Sequence, residues 1–260
     1  MIIWLRQVRA LAALAVLELY RRKDLLVMLF LSLLVLAPLA CFAPFGVKGA
    51  SRYVNELALL LIWIFSAAVA LGVSARLFPP EFESRTIFPL LAKPVGRGTL
   101  LFGKYLGACA ASLSALALFY LGYGLLVGVR QGVWFPGILL QAFLLHADFV
   151  AVVSALGLLG SLALTPSANL AISSLVVAGM FFYGQRLPGL VAGQPPPANA
   201  LIGLIHWIGP HVEFFDLRRR VVHEWPPVPW RVCLAVTAYA AAYVCVCLLA
   251  ARSLFMRKKI

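Results

Sequence analysis

The chemistry available to this 260-residue chain rests on few residues. His146 and Asp148 stand two apart inside a long apolar run. An ionisable side chain at such a depth is costly, so it marks either a substrate path or a hydrogen bond between packed segments. Both readings stand for this pair, but the other apolar runs supply no acidic partners for a proton relay. The string Gly98-Thr-Leu-Leu-Phe-Gly103-Lys104 spells the G-x-x-x-x-G-K of a phosphate-binding loop. That loop needs Ser or Thr next, to hold magnesium, and a strand before it. Here Tyr105 follows and the string leads into an apolar run, so nucleotide binding is not expected of this chain. His223-Glu224 meets Pro227 where a zinc-protease helix needs its second histidine. His211-x-Glu213 lacks a third ligand, and His206, His211 and His223 would share a metal only if their segment gathered them. Cys41, Cys109, Cys233, Cys245 and Cys247 lie in apolar runs, with neither zinc spacing nor a disulfide pattern.

The elements that must position these residues are set by the bilayer. Hydrophobic residues make up 63% of the chain, charged residues 12%, and the mean hydropathy is +0.97. A soluble domain is nearer 45–50% apolar and about 25% charged. A water-soluble fold of this length could not bury so much apolar surface, so the chain is read as an integral membrane protein. Long apolar runs without short alternation select helices over a barrel. The expected fold is all-α with six spans, at about 25–44, 57–73, 103–128, 134–164, 168–184 and 232–255. The fourth run is about 30 residues long, which predicts tilt, a kink or a protruding end. Thr165-Pro166 suits a cap and first turn for the fifth. The whole chain, 1–260, is expected to form one transmembrane domain. Residues 1–23 read as an interfacial helix, 74–102 as a cytoplasmic connection, and 185–230 as an external loop with short helices packed at or dipping into the interface.

Charge sets the expected orientation. With the N-terminus inside, 14 of the 22 Lys and Arg fall on the cytoplasmic side, which places both termini in the cytoplasm. The net charge of +13 is then a topology signal rather than a nucleic-acid signal. Arg218, Arg219 and Arg220 run against the bias, in a longer loop where the rule is weaker. Gly103-x-x-x-Gly107 and Gly124-x-x-x-Gly128 would let helices approach closely.

The connection between the second and third spans carries the most specific pattern. Glu81, Glu83, Arg85 and Thr86 are followed by Leu90, Leu91, Pro94 and Arg97, then by Gly103, Lys104 and Gly107. The chain ends on Leu249, Ala250, Phe255, Arg257 and Lys258. These runs and the span layout resemble the permease subunits of type-2 ABC exporters, the group that includes the membrane subunit of the nitrous-oxide-reductase maturation transporter. The resemblance implies a permease in the bacterial cytoplasmic (inner) membrane that exports an unidentified substrate. It implies a second permease half, identical or not, and a separate ATPase that carries ATP and magnesium, with no cofactor on this chain. It also implies that Glu81, Glu83, Arg85, Thr86, Pro94 and Arg97 form the contact with the ATPase. Lys93, Arg97 and Lys104 suit lipid headgroups equally well. Two other classes fit the same residues: an anchor that couples an ATPase to an envelope complex without moving cargo, and an intramembrane enzyme using His146 and Asp148.

Overall fold

The computed structural model describes residues 48–84, 96–132, 136–183 and 208–258, apart from single positions, together with isolated residues elsewhere. The expected interfacial helix and first span fall largely outside the described residues. The described residues form helices and no strand. The elements are α1 (Lys48–Ser74), α2 (Pro79–Glu83), α3 (Arg97–Gln131), α4 (Gly137–Ser161), α5 (Pro166–Tyr183), a 3-10 turn (Val212–Phe215), α6 (Arg218–Val222) and α7 (Trp230–Arg257). Four of them, α1, α3, α4 and α7, are long and apolar enough to cross a membrane, and α5 is a shorter apolar helix.

Three boundaries differ from those expected, each for a local reason. Helix α1 begins at Lys48, well before residue 57, so Lys48 and Arg52 are helical rather than in a loop. Helix α3 runs for 35 residues because it starts at Arg97, directly after its cap at Gly96. Gly96 is extended, and Leu100 and Leu101 continue the helical register into buried sites. Arg97 therefore opens the helix instead of lying in the connection. At the other end Gly132 adopts a left-handed backbone, φ 69°, and its N–H closes on the Gly128 carbonyl. The fourth run is a helix of 25 residues, held between Pro136 and the turn at Leu162, and at 1.5 Å per residue it is still longer than a hydrocarbon core about 30 Å thick. The cap on α5 is as expected, with the Ala168 N–H on Thr165 Oγ1 at 3.4 Å.

Helix α4 is the hub, packing on α1, α3, α5 and α7. Two close approaches fix it. The Ser74 side chain of α1 sits on Gly157, and the Asn169 side chain of α5 sits on Gly160 while donating to the Gly157 carbonyl at 2.8 Å. A Cβ at either glycine would overlap those side chains. The four glycines picked out in the sequence, Gly103, Gly107, Gly124 and Gly128, are all buried. A Cβ at Gly128 would strike the Trp134 ring at 2.6 Å.

The 208–230 segment penetrates the bundle. Phe215 is 1% exposed and packs on Phe149 of α4 and Tyr239 of α7. Phe149 lies twelve residues into α4, about 18 Å along a helix rising 1.5 Å per residue. The segment thus reaches toward the middle of a hydrocarbon core about 30 Å thick. Arg218 is used inside this packing. Its guanidinium pairs with Asp216 at 2.8 and 2.9 Å and lies over the rings of Trp63 and Phe181. That accounts for one arginine of the triplet that runs against the charge bias.

Gly157→Val should push α1 off α4 and cost about 1–3 kcal/mol, as overpacking of a tight core site does. Thermal unfolding in detergent will read this as a lowered midpoint.

Candidate functional site

Two polar constellations stand out, one at the α2 end of the bundle and one within it. The first begins with the sequence Phe78-Pro-Pro-Glu-Phe-Glu83. Paired prolines at the first helical positions fix the start of α2, where their missing N–H groups leave no unmet donor. Phe78, fully buried, anchors the turn before it and packs on Phe255 near the end of α7, centroids 5.3 Å apart. Lys104 of α3 lies beneath. Its ammonium pairs with Glu81 Oε1 at 2.5 Å, donates to the Leu77 carbonyl at 2.6 Å and sits 4.8 Å from the Phe78 ring centre. Lys258 grips α2 from the other side, its ammonium 4.0 Å from the Phe82 ring centre and 2.8 Å from the Leu162 carbonyl after α4. Arg97 donates to the carbonyls of Phe255, Met256 and Lys258, at 3.2, 3.3 and 3.5 Å. It thereby caps α7 with a cation where that helix leaves unmet acceptors.

The two acids of α2 have different surroundings. Glu81 is drawn inward to Lys104, whereas Glu83 is exposed, as is Ser84 after it. Arg85, Thr86, Lys93 and Pro94 lie outside the described residues. The G-x-x-x-x-G-K string is uninterrupted helix within α3, with its lysine engaged by Glu81.

The second constellation surrounds His146, which is fully buried. Its Nε2 is 2.6 Å from Ser66 Oγ of α1, and its Nδ1 is 3.1 Å from the Tyr120 hydroxyl of α3. Ser66 also donates to the Trp63 carbonyl at 3.0 Å. One arrangement uses every proton: Tyr120 donates to Nδ1, Nε2–H donates to Ser66, and Ser66 donates to Trp63. That assigns a neutral imidazole, with the Trp63 ring stacked on it at 4.7 Å. Helices α1, α3 and α4 are joined at this one ring. Asp148 does not meet His146. It turns to the other side of α4 and accepts from Thr237 of α7 at 2.7 Å.

Sequence reasoning missed Gln141 and Asn169, both buried amides. Gln141 donates to the Val228 carbonyl at 2.8 Å and accepts its N–H at 2.9 Å, pinning the chain just ahead of α7 to α4. A lone amide in an otherwise apolar run was the available signal for each. Of the three histidines toward the other end, His206 and His211 are in ring contact and His211 faces Glu213, while His223 bonds the Arg219 carbonyl. Among the described residues no three His, Cys, Asp or Glu form a group that could hold a metal. The described cysteines are free thiols.

Residues 40–260 match the profile of the ABC-2 family transporter proteins. The chain belongs to the ABC-2 transporter family. No curated protein matches it. Membership makes this ABC-2 chain the membrane permease part of an ABC transporter, a transport component rather than a catalytic one. The family associates with an ABC ATPase.

His146→Phe keeps the ring packing but strands Ser66 and Tyr120. Losing those bonds should cost about 2–3 kcal/mol, measured as a fall in unfolding midpoint in detergent. Lys104→Met should also destabilise, by about 2 kcal/mol, because it leaves the Glu81 carboxylate without its cation. Adding Glu81→Gln to that variant should recover part of the loss in the same measurement.

Proposed function

We infer that this permease takes up the motion of a separate ATPase through α2 and the residues that follow it. Glu81, Glu83, Arg85, Thr86, Pro94 and Arg97 form the coupling region in this reading, with distinct tasks. Glu81 holds α2 against Lys104, and Arg97 holds the end of α7. Glu83 is exposed and is the acid available to basic groups on the ATPase. The observation that carries the reading is the fixation of a five-residue helix by two lysines at the joint between two spans. A free five-residue helix would not hold its shape in water. Fixed in this way, it presents a stable surface and passes force into α3 and α7.

The remaining parts follow from that assignment. The α2 end faces the cytoplasm of a bacterial cell, both termini lie there, and the chain spans the inner membrane. ATP and magnesium are bound by the ATPase. Two permease halves, identical or not, enclose the path, and the cargo leaves between them or sideways from the bilayer. A resemblance to the maturation-transporter permease makes a cargo needed on the envelope side one class to test. Asp148 and Thr237 are half-buried or exposed polar groups within spans and are the first positions to vary when cargo is screened.

The test is purification of a tagged chain in mild detergent. The wild type is expected to carry an ABC ATPase with it. Glu83→Lys should lower that recovery about tenfold, the effect of losing roughly 1.4 kcal/mol of charge-assisted contact, while the unfolding midpoint stays unchanged. Recovery at the wild-type level in Glu83→Lys would remove Glu83 from the contact. An envelope complex recovered without substrate-stimulated ATP hydrolysis would favour the anchor reading over export.

A further inference from the structure

At the end of the bundle away from α2, the start of α4, the far part of α3 and the turn after α6 meet α1 around a cavity of about 330 Å³. That is the size of a small-molecule site. Ile138 and Leu139 of α4 and the Trp225 side chain give it apolar walls, and Asn55 of α1, Tyr123 of α3 and Glu224 give it polar ones. None of these three polar side chains has a hydrogen bond or ion pair among the described residues. Tyr123 is 2% exposed, so bulk water does not answer its hydroxyl. Tyr120, on the same helix, is bonded to His146, and a buried hydroxyl left without such a partner needs an explanation. Glu224 is unusual for its backbone: it is the one described non-glycine residue with a positive φ, 53°. A left-handed glutamate is uncommon, and such residues persist where the surroundings hold them, often at ligand sites. The surroundings do hold it. The Trp225 N–H bonds the Arg220 carbonyl at 3.0 Å, and the Arg220 guanidinium donates to the Pro226 carbonyl at 3.3 Å and lies 5.8 Å from the Trp225 ring centre. Arg220 is committed to the turn, and His223 packs on Trp225 and bonds the Arg219 carbonyl. Among the lining residues Glu224 is the only charged one.

We propose that this cavity binds a primary ammonium group carried on an apolar body. A primary ammonium has three N–H donors and no acceptor. The Glu224 carboxylate, the Tyr123 hydroxyl oxygen and the Asn55 side-chain carbonyl offer it three acceptors, and the bond to the carboxylate is charge-assisted. The apolar body lies against Ile138, Leu139 and Trp225. An anion would meet the Glu224 carboxylate with no cation in the lining to offset it, and a quaternary ammonium has no N–H to donate. This chemistry has two sources: a free amine from the envelope side, or the ethanolamine headgroup of a lipid. Both can reach the site, because exposed Trp134 and Trp230 set this end at headgroup level. Either ligand would tie α1 to α3 and to the turn that leads into α7. The site uses none of the residues proposed to meet the ATPase; only the side it faces follows from the topology given above.

The experiment uses the full chain in nanodiscs of phosphatidylcholine, whose quaternary ammonium cannot donate. The probe is benzylammonium, titrated by saturation-transfer NMR, with benzyl alcohol and benzoate as neutral and anionic controls of the same shape. The wild type should bind benzylammonium saturably and about tenfold or more tighter than either control. Glu224→Gln should weaken that binding about tenfold and Tyr123→Phe about fivefold, as the loss of a charge-assisted and of a neutral hydrogen bond does. Neither should lower the unfolding midpoint, because neither side chain has a bond within the chain to lose. Glu224→Gly suits the left-handed backbone, so it should keep the fold and still lose the binding. Adding phosphatidylethanolamine to the nanodiscs separates the two sources: a weaker apparent affinity for benzylammonium assigns the site to the lipid headgroup, and an unchanged one assigns it to a free amine. Equal binding of the three probes, wild-type affinity in both Glu224→Gln and Tyr123→Phe, or no saturable binding of benzylammonium overturns the proposal. None of these outcomes bears on recovery of the ATPase, so the coupling reading stands or falls by its own experiment.

Discussion

Lipid offers no hydrogen bonds, and every other feature of this fold is arranged around that constraint. A polar side chain carried into the bundle must be answered by another part of the same chain. His146 is answered from two helices, Gln141 by both backbone groups of Val228, Asn169 by the Gly157 carbonyl and Ser173, and Asp148 by Thr237. All four lie on α4 or pack against it. Apolar packing alone would leave helices free to slide, since lipid tails are as apolar as leucine. These few bonds fix which helix lies beside which, and at what height. The small residues at Gly157 and Gly160 then allow the close contact that the bonds require.

The spans that fall within the described residues were legible in the sequence because their signal is compositional. Twenty apolar residues in a row need no knowledge of neighbours. The ends of the helices were less legible. Arg97 looked like part of a loop because it is charged, yet it opens α3 because its guanidinium finds the carbonyls at the end of α7, more than 150 residues away. No local rule contains that partner. The same holds for His146 and Asp148. Their adjacency suggested a pair, but residues two apart on a helix point in different directions, and the structure sends one toward α1 and α3 and the other toward α7. Gly157 and Gly160 carry a small-residue signal at a spacing of three, where the G-x-x-x-G pattern has four.

The penetration of the 208–230 segment was legible only in part. Its apolar stretches predicted packing near the interface. Its depth depends on Phe215 and Arg218 finding aromatic surfaces on four different helices. Arg218 enters with Asp216 attached, so the pair carries little net charge into the bundle. The aromatic rings around it offer a cation a partial substitute for water. An arginine that seemed misplaced by charge counting is thus tolerated because it arrives with its counter-ion and is surrounded by ring faces.

The basic residues at the α2 end serve more than orientation. Arg97, Lys104 and Lys258 belong to the positive excess expected to hold this end in the cytoplasm, and their types alone suit lipid headgroups or a partner protein. In the folded chain each is committed inward, to helix-end carbonyls, to Glu81 or to aromatic faces. Such a clamp is tenable only near the water interface, where the desolvation cost of an ammonium or guanidinium is modest. The location that satisfies the charge rule is therefore the location where these cations can hold α2 in place. Inverting the chain would expose the exit side to the clamp and leave the ATPase without its surface, so in the proposed reading topology and coupling are set by the same side chains.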